Sequence, residues 1–279
     1  MIDRIRWVRF LFVWAIVCFY GQTLSPLVAA EGAETPAAPA KLSGKMITLG
    51  DFGAEDLGYL VLPLVAPAGG VVIIHDRFGL DEHTKRLTEE FAGKGYLAIA
   101  VDLYNGRSSN DPAQANVLLS NLRIESAMKT IQAGERLLKE SPRLKVPHVA
   151  LVGCNSGGTI AILAAQQIKD IDAVAAVNPM IAPREKKISK YRVSIILINA
   201  GTPPAGLEEF QKLMDDMRNP LAVYTLEGVP EGFADPRSAN HNASHAAKAW
   251  QMVDDFLKRE FAKPEKAPSI IDKVEDFFK

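Results

Sequence analysis

The chain predicts a doubly wound, mostly parallel α/β sheet. Three observations carry that expectation. Short apolar runs rich in β-branched residues, such as Val71-Val72-Ile73-Ile74, recur along the sequence and read as strands buried on both faces. Stretches of helical length separate them, and strands alternating with helices at this spacing favour parallel pairing. A strand-like run from His148 to Val152 enters the Gly-bounded turn Gly153-Cys154-Asn155-Ser156-Gly157-Gly158, and a helix-like run leaves it from Thr159. With 279 residues, 48% of them hydrophobic, the chain can bury one large core. A formal net charge of −1 gives no footing for nucleic acid or an anionic surface.

Taken in order, the runs at 45–49 and 59–63 are strand-like, and the Gly50-Asp51-Phe52-Gly53 turn between them predicts a lead-in hairpin at one sheet edge. A Pro/Gly loop at 66–70 precedes the strand at 71–74. His75-Asp76-Arg77-Phe78-Gly79-Leu80 follows that strand at its C-terminal end, where open α/β sheets place their sites. Residues 82–93 read as an amphipathic helix, 96–101 as a buried strand and 113–139 as helical overall. Beyond the turn at 153–158 come a helix to about residue 168, strands at 173–177, 193–199 and 221–226, and helices at 207–217 and 246–260.

The two ends read differently. Arg4, Arg6 and Arg9 precede an apolar run at 10–20, and Val28-Ala29-Ala30 offers small residues for cleavage after Ala30. This predicts a signal peptide at 1–30 and an exported protein, periplasmic or extracellular. The alternative is an uncleaved anchor, the only route to membrane contact, but its apolar run falls short of the roughly 20 residues a span needs. Residues 31–44 read as an Ala/Pro-rich linker, 45–261 as the α/β domain and 262–279 as a linker with a short amphipathic helix. Cleavage would leave Cys154 as the one cysteine, so no intramolecular disulfide is expected.

A strand, a sharp Gly-bounded turn and a helix make the setting of a nucleophile elbow. Together with His75-Asp76-Arg77-Phe78-Gly79-Leu80, Gly95-Tyr96, Asp102-Leu103-Tyr104 and the late motif Glu231-Gly232-Phe233-Ala234-Asp235-Pro236, it resembles the dienelactone hydrolase family of α/β-hydrolases over residues 59–260. The resemblance implies an α/β-hydrolase fold of dienelactone hydrolase type and a Cys-His-Asp triad acting on small esters and lactones, with no cofactor. It also places the three triad positions on Asn155, Thr202 and Glu231, none of which keeps the family's residue. The expectation is therefore a pseudoenzyme that binds a small polar ligand or a protein. The competing expectation is an atypical ester or lactone hydrolase using Asp76 or Glu231 with water or Ser156.

Residue by residue, Asn155 suits an elbow tip because Asn tolerates a positive φ; its other use is a polar contact to a ligand. Cys154, before the tip, is expected to point into the sheet–helix core, and the Ser156 hydroxyl to cap the helix. His75, Asp76, Arg77, Phe78, Asn155, Ser156 and Glu231 are the candidate pocket, with Arg77 pairing with Glu231 or Asp76 to close it, or the whole cluster binding a polar ligand. Asp76 with Glu231 could do general acid–base work. His83 reads as a helix-start residue with local hydrogen bonds, and His148 as exposed. His241 and His245 would share a face if helical, but no third ligand is evident and no metal is expected.

Overall fold

The computed structural model describes residues 43–181 and 193–264. The expectations for the signal segment and for a helix near the C-terminus lie outside the described residues. Strand β1 (Lys45–Thr48) is followed by a single 3-10 turn at Gly50–Phe52 and by β2 (Leu57–Val61). Then come β3 (Gly70–Ile74), α1 (Glu82–Gly93), β4 (Leu97–Val101), α2 (Pro112–Ser120) and α3 (Ile124–Glu140). The elbow joins β5 (Val149–Cys154) to α4 (Ser156–Ala165), and β6 (Ala173–Val177), β7 (Ser194–Ala200), α5 (Leu207–Asp216), β8 (Leu221–Leu226) and α6 (Ala243–Phe261) complete the order.

The strands form one eight-stranded sheet in the order β1-β2-β4-β3-β5-β6-β7-β8. The expected lead-in hairpin is there: β1 pairs antiparallel with β2, and β2 antiparallel with β4. From β4 onward every pairing is parallel. The central strands β3, β4, β6 and β7 are buried along their whole length, because helices cover both faces. Alternate residues feed two cores. Val72, Ile74, Leu151, Val174 and Leu197 pack on one side with Ile131 and Leu138 of α3, Ala161 of α4 and Phe210 of α5. Val71, Ile73, Val152, Ala175 and Ile198 pack on the other with Phe91 of α1 and Trp250, Val253 and Phe256 of α6.

One sequence expectation is refined here and two are corrected. The helical stretch at 113–139 is divided into two helices, α2 and α3, because Asn121 caps the first and the chain bends through Leu122 and Arg123. His148 is 6% exposed instead of solvated, stacked on Phe261 with ring centroids 5.8 Å apart and 3.7 Å from an Asp172 carboxylate oxygen. His241 precedes α6, whose N-cap is Asn242, so His241 and His245 do not share a helical face.

One core residue is out of character. Glu135 of α3 is 4% exposed, and burial pushes its carboxyl up to about 7, Lys139 opposing and Asp170 adding to the shift. The sign follows from linkage. Below about pH 4.5 both states hold the proton and no penalty exists. As pH rises towards 7 the unfolded chain ionises first, so the folded state loses stability, and above 7 the loss is complete. Glu135→Gln is therefore expected to stabilise the protein by up to roughly 3 kcal/mol at pH 8 and by little at pH 4. Urea unfolding at the two pH values reads the difference; equal gains at both would show that ionisation is not the cause.

Candidate functional site: a closed elbow pocket

The elbow is built by close backbone approach. A Cβ on Gly157 would lie 2.3 Å from the Ile74 carbonyl oxygen, and one on Gly153 would lie 2.3 Å from the Gly157 carbonyl carbon. Only glycine fits either place. Between them Asn155 sits at φ 49°, ψ −120° as the N-cap residue of α4, a conformation that side chains rarely adopt and that surrounding structure must hold. Its N–H donates to the Val177 carbonyl at 2.8 Å, and its carbonyl accepts from the Thr159 N–H at 3.1 Å.

The Asn155 amide is fixed at both ends. Its Nδ2 donates to Asp76 Oδ2 at 3.0 Å, and its Oδ1 accepts from Asn178 Nδ2 at 3.3 Å. Asn178 ends β6 with φ 51°, and its own Oδ1 accepts from the Ala200 N–H. Asp76 is positioned by its local turn, where Oδ1 accepts from the Phe78 N–H at 3.2 Å. His75 is committed to structure. The Leu103 N–H donates to its Nε2 at 3.0 Å, so Nδ1 carries the proton and donates to the Asp76 carbonyl at 2.7 Å. Burial pushes the imidazole pKa down, consistent with that neutral tautomer.

The pocket mouth is occupied by Arg237. Its Nε donates to Asp235 Oδ1 at 2.8 Å and its Nη1 to Asp81 Oδ2, while Nη2 lies 3.9 Å from Asp76 Oδ2. The guanidinium lies over the Phe78 ring at 3.8 Å from its centroid. Each carboxylate has further donors, so the cluster is internally satisfied. Asp81 is the N-cap of α1 and takes the Thr84 N–H at 2.9 Å; Asp235 also takes the Arg237 N–H at 2.9 Å. Burial alone would raise the Asp235 carboxyl, but the Arg237 hydrogen bonds and charge outweigh it and hold it below the usual carboxylate range. Burial, with the Arg237 charge adding to it, lowers the His83 pKa.

What remains beneath is a cavity of about 20 Å³, lined by His75, Asp76, His83, Cys154, Asn155, Asp235 and Arg237 among others. That admits about one water, far below the few hundred Å³ of a ligand pocket.

Of the seven candidate pocket residues, His75, Asp76 and Asn155 line this cavity. Phe78 is 5% exposed and serves as the platform for Arg237. Arg77 lies on Phe78 at 4.9 Å and donates to Asn116 Oδ1 at 3.4 Å. Glu231 is exposed, outside the lining, its carbonyl taken by Asn240 Nδ2 at 3.0 Å. The expected ion pair of Arg77 with Glu231 or Asp76 is thus replaced by that of Arg237, because the turn at 231–237 aims residues 235 and 237 inward. Thr202 is exposed in the turn after β7. Ser156 Oγ is buried and makes no capping hydrogen bond; α4 begins without a side-chain cap. Cys154 is only partly buried and reaches the cavity as well as the core, and burial pushes its thiol up to about 12, the Asp76 charge adding to the shift. His83 lines the cavity from α1.

The residues that sequence reasoning missed are Asp81, Asp235 and Arg237. A signal was present: Asp235 lies inside the late motif and Arg237 immediately beyond it, and Asp81 stands three residues before Thr84 at a helix start. Among the described residues no group of three or more His, Cys, Asp or Glu side chains is placed to hold a metal ion.

The dienelactone hydrolase family model matches residues 57–261. A putative carboxymethylenebutenolidase of Synechocystis sp. is 25% identical over 246 residues, covering 77% of this chain and 96% of that protein. The carboxymethylenebutenolidase of Pseudomonas putida is 26% identical over 224 residues, covering 76% of this chain and 94% of its own. The crystal structure of a dienelactone hydrolase-like promiscuous phosphotriesterase from metagenomic libraries shares the fold, with a TM-score of 0.70 at 17% identity over 79% of this chain and 99% of that one. With a match over most of the α/β domain, a mostly parallel eight-stranded sheet and an elbow at 153–157, this chain belongs to the dienelactone hydrolase family.

Proposed function

We propose that the protein is an exported member of the family that has lost acyl transfer through the Cys-His-Asp triad and acts as a binding protein for a small polar ligand or a protein partner. The observation that carries this reading is the state of the elbow tip. Asn155 offers an amide, which is not a nucleophile for acyl transfer, and that amide is held by Asp76 and Asn178 under a mouth filled by Arg237. The positions that the resemblance assigns to the base and its partner, Glu231 and Thr202, both face solvent. A ligand entering the elbow pocket must displace Arg237, so a polar group that competes for its carboxylates or its guanidinium is the kind this site would take.

The test is hydrolysis of a small activated ester and a lactone by the purified protein. No turnover above the uncatalysed rate is expected, from the wild type or from Asn155→Cys. Turnover by the wild type would overturn the reading. The names of the relatives keep a second reading in view, an atypical hydrolase in which Asp76 activates the single water the cavity admits. Under that reading Asp76→Asn abolishes turnover, while Glu231→Gln, changing a side chain outside the pocket, leaves it intact.

A further inference from the structure

We propose that Asn155 is a self-modification site: the elbow holds it ready to close on its own backbone, lose ammonia and become an aspartate or isoaspartate. The argument begins with the torsion. At ψ −120° the bond from the carbonyl carbon to the Ser156 nitrogen eclipses the Cα–Cβ bond of an L-residue. That eclipsed arrangement is what a five-membered ring through Cα, Cβ, Cγ and the next backbone nitrogen requires. Most asparagines must leave a low-energy ψ to reach it. Asn155 is kept there by the fold, at φ 49°, ψ −120°, so the backbone part of the torsional cost is already met in the native state, leaving rotation about Cα–Cβ.

The surroundings fit each half of the step. Ser156 is the first residue of α4, so its N–H has no intrahelical acceptor to give up. Asn178 Nδ2 donates to Asn155 Oδ1 at 3.3 Å, where negative charge develops as Cγ becomes tetrahedral. The Asp76 carboxylate accepts from Nδ2, the leaving nitrogen, at 3.0 Å, and is placed to take up the proton that the Ser156 nitrogen gives up and relay it to Nδ2. The Ser156 nitrogen forms a bond to Cγ, the Cγ–Nδ2 bond breaks, and the Ser156 proton leaves with ammonia. The ring then takes up one water, for which the adjoining cavity of about 20 Å³ has room. Opening at Cγ gives aspartate, opening at the main-chain carbonyl gives isoaspartate. A carboxylate formed there would stand against that of Asp76, in the pocket that Arg237 also lines 3.9 Å from Asp76.

Peptide mass spectrometry of the full chain, incubated folded and in parallel in concentrated urea, tests this. Asn178 and Asn219 each precede a proline and cannot close such a ring, and Asn105, exposed before Gly106, is the fast reference. Asn155 is expected to convert at least about tenfold faster in the folded chain than in the unfolded one, the reverse of the usual protection by structure. Asp76→Asn and Asn178→Ala are each expected to slow the folded reaction and leave the unfolded one unchanged. A folded rate equal to or below the unfolded rate overturns the proposal. The mass change is read without any substrate, so its absence leaves the binding reading standing, and turnover by the wild type leaves this one standing.

Discussion

Replacing Arg237 with alanine is expected to raise the reactivity of Cys154 towards a neutral thiol reagent by about a hundredfold, from the loss of roughly 2–3 kcal/mol of pocket closure. In the wild type the thiol lies in the floor of a cavity that admits about one water, and burial holds it protonated with its pKa near 12. Labelling of this partly buried thiol is therefore slowed by the crowding of Arg237 across the pocket. The mouth is held by a guanidinium that touches Asp235 and Asp81, faces Asp76 and lies on Phe78. These side chains are 24% exposed for the arginine and 11% for the carboxylates, so the figure is set below that of a fully buried pair. Arg237→Lys, which keeps the charge but loses the planar fork and the stack, is expected to lie between. The pH dependence fixes the cause. Asp235 is held below its ordinary value of 3.8 in the folded state, so the ion pair contributes fully above that value and is lost as pH falls through the folded one. The stability gap between wild type and Arg237→Ala, measured by urea unfolding, should be full at pH 7 and shrink under about pH 4. A labelling rate unchanged by Arg237→Ala would mean that some other group closes the pocket.

The same cluster shows where the sequence was readable. Strand β6 and helix α1 fall at the residues their apolar patterns and caps predict, because burial on both faces or along one stripe leaves a local trace, and β8 falls at its predicted residues although it is a half-buried edge strand. The elbow was also legible, since close approach demands Gly153 and Gly157 whatever the tip residue does. Asp76 and Asn155 could be placed near one another because both end parallel strands, β3 and β5, that are adjacent in the sheet. Arg237 could not be placed that way. Its position depends on the path of the irregular chain between β8 and α6, where Asn240 ties back to the Glu231 carbonyl and Gly232 takes φ 85°. That path sends Asp235 and Arg237 inward and Glu231 outward, a choice that no periodicity records. The same holds for His148, whose burial is set by Phe261 arriving from the far end of the domain.

Gly157→Ala is expected to cost more than about 4 kcal/mol, or to prevent folding. The added methyl would stand 2.3 Å from the Ile74 carbonyl oxygen and 2.7 Å from that of His75. Both are backbone atoms at the end of the central strand β3, so relief cannot come from rotating a side chain. Either α4 must lift from the sheet, uncovering Ile160 and Ala161 from the core, or the β3 end must move and carry His75 and Asp76 with it. Gly50→Ala is the matched control: nothing lies within 4 Å of its new Cβ, and a change within about 0.5 kcal/mol is expected. Urea unfolding midpoints of the two variants measure the contrast. The larger effect should also reach the elbow tip. If folded Gly157→Ala can be isolated, the displaced α4 relaxes Asn155 away from ψ −120° and separates its amide from Asp76. Conversion of Asn155 should then slow towards the unfolded rate. A variant that loses stability yet keeps the wild-type conversion rate would show that the helix start, not the glycine contact, sets the torsion at the tip.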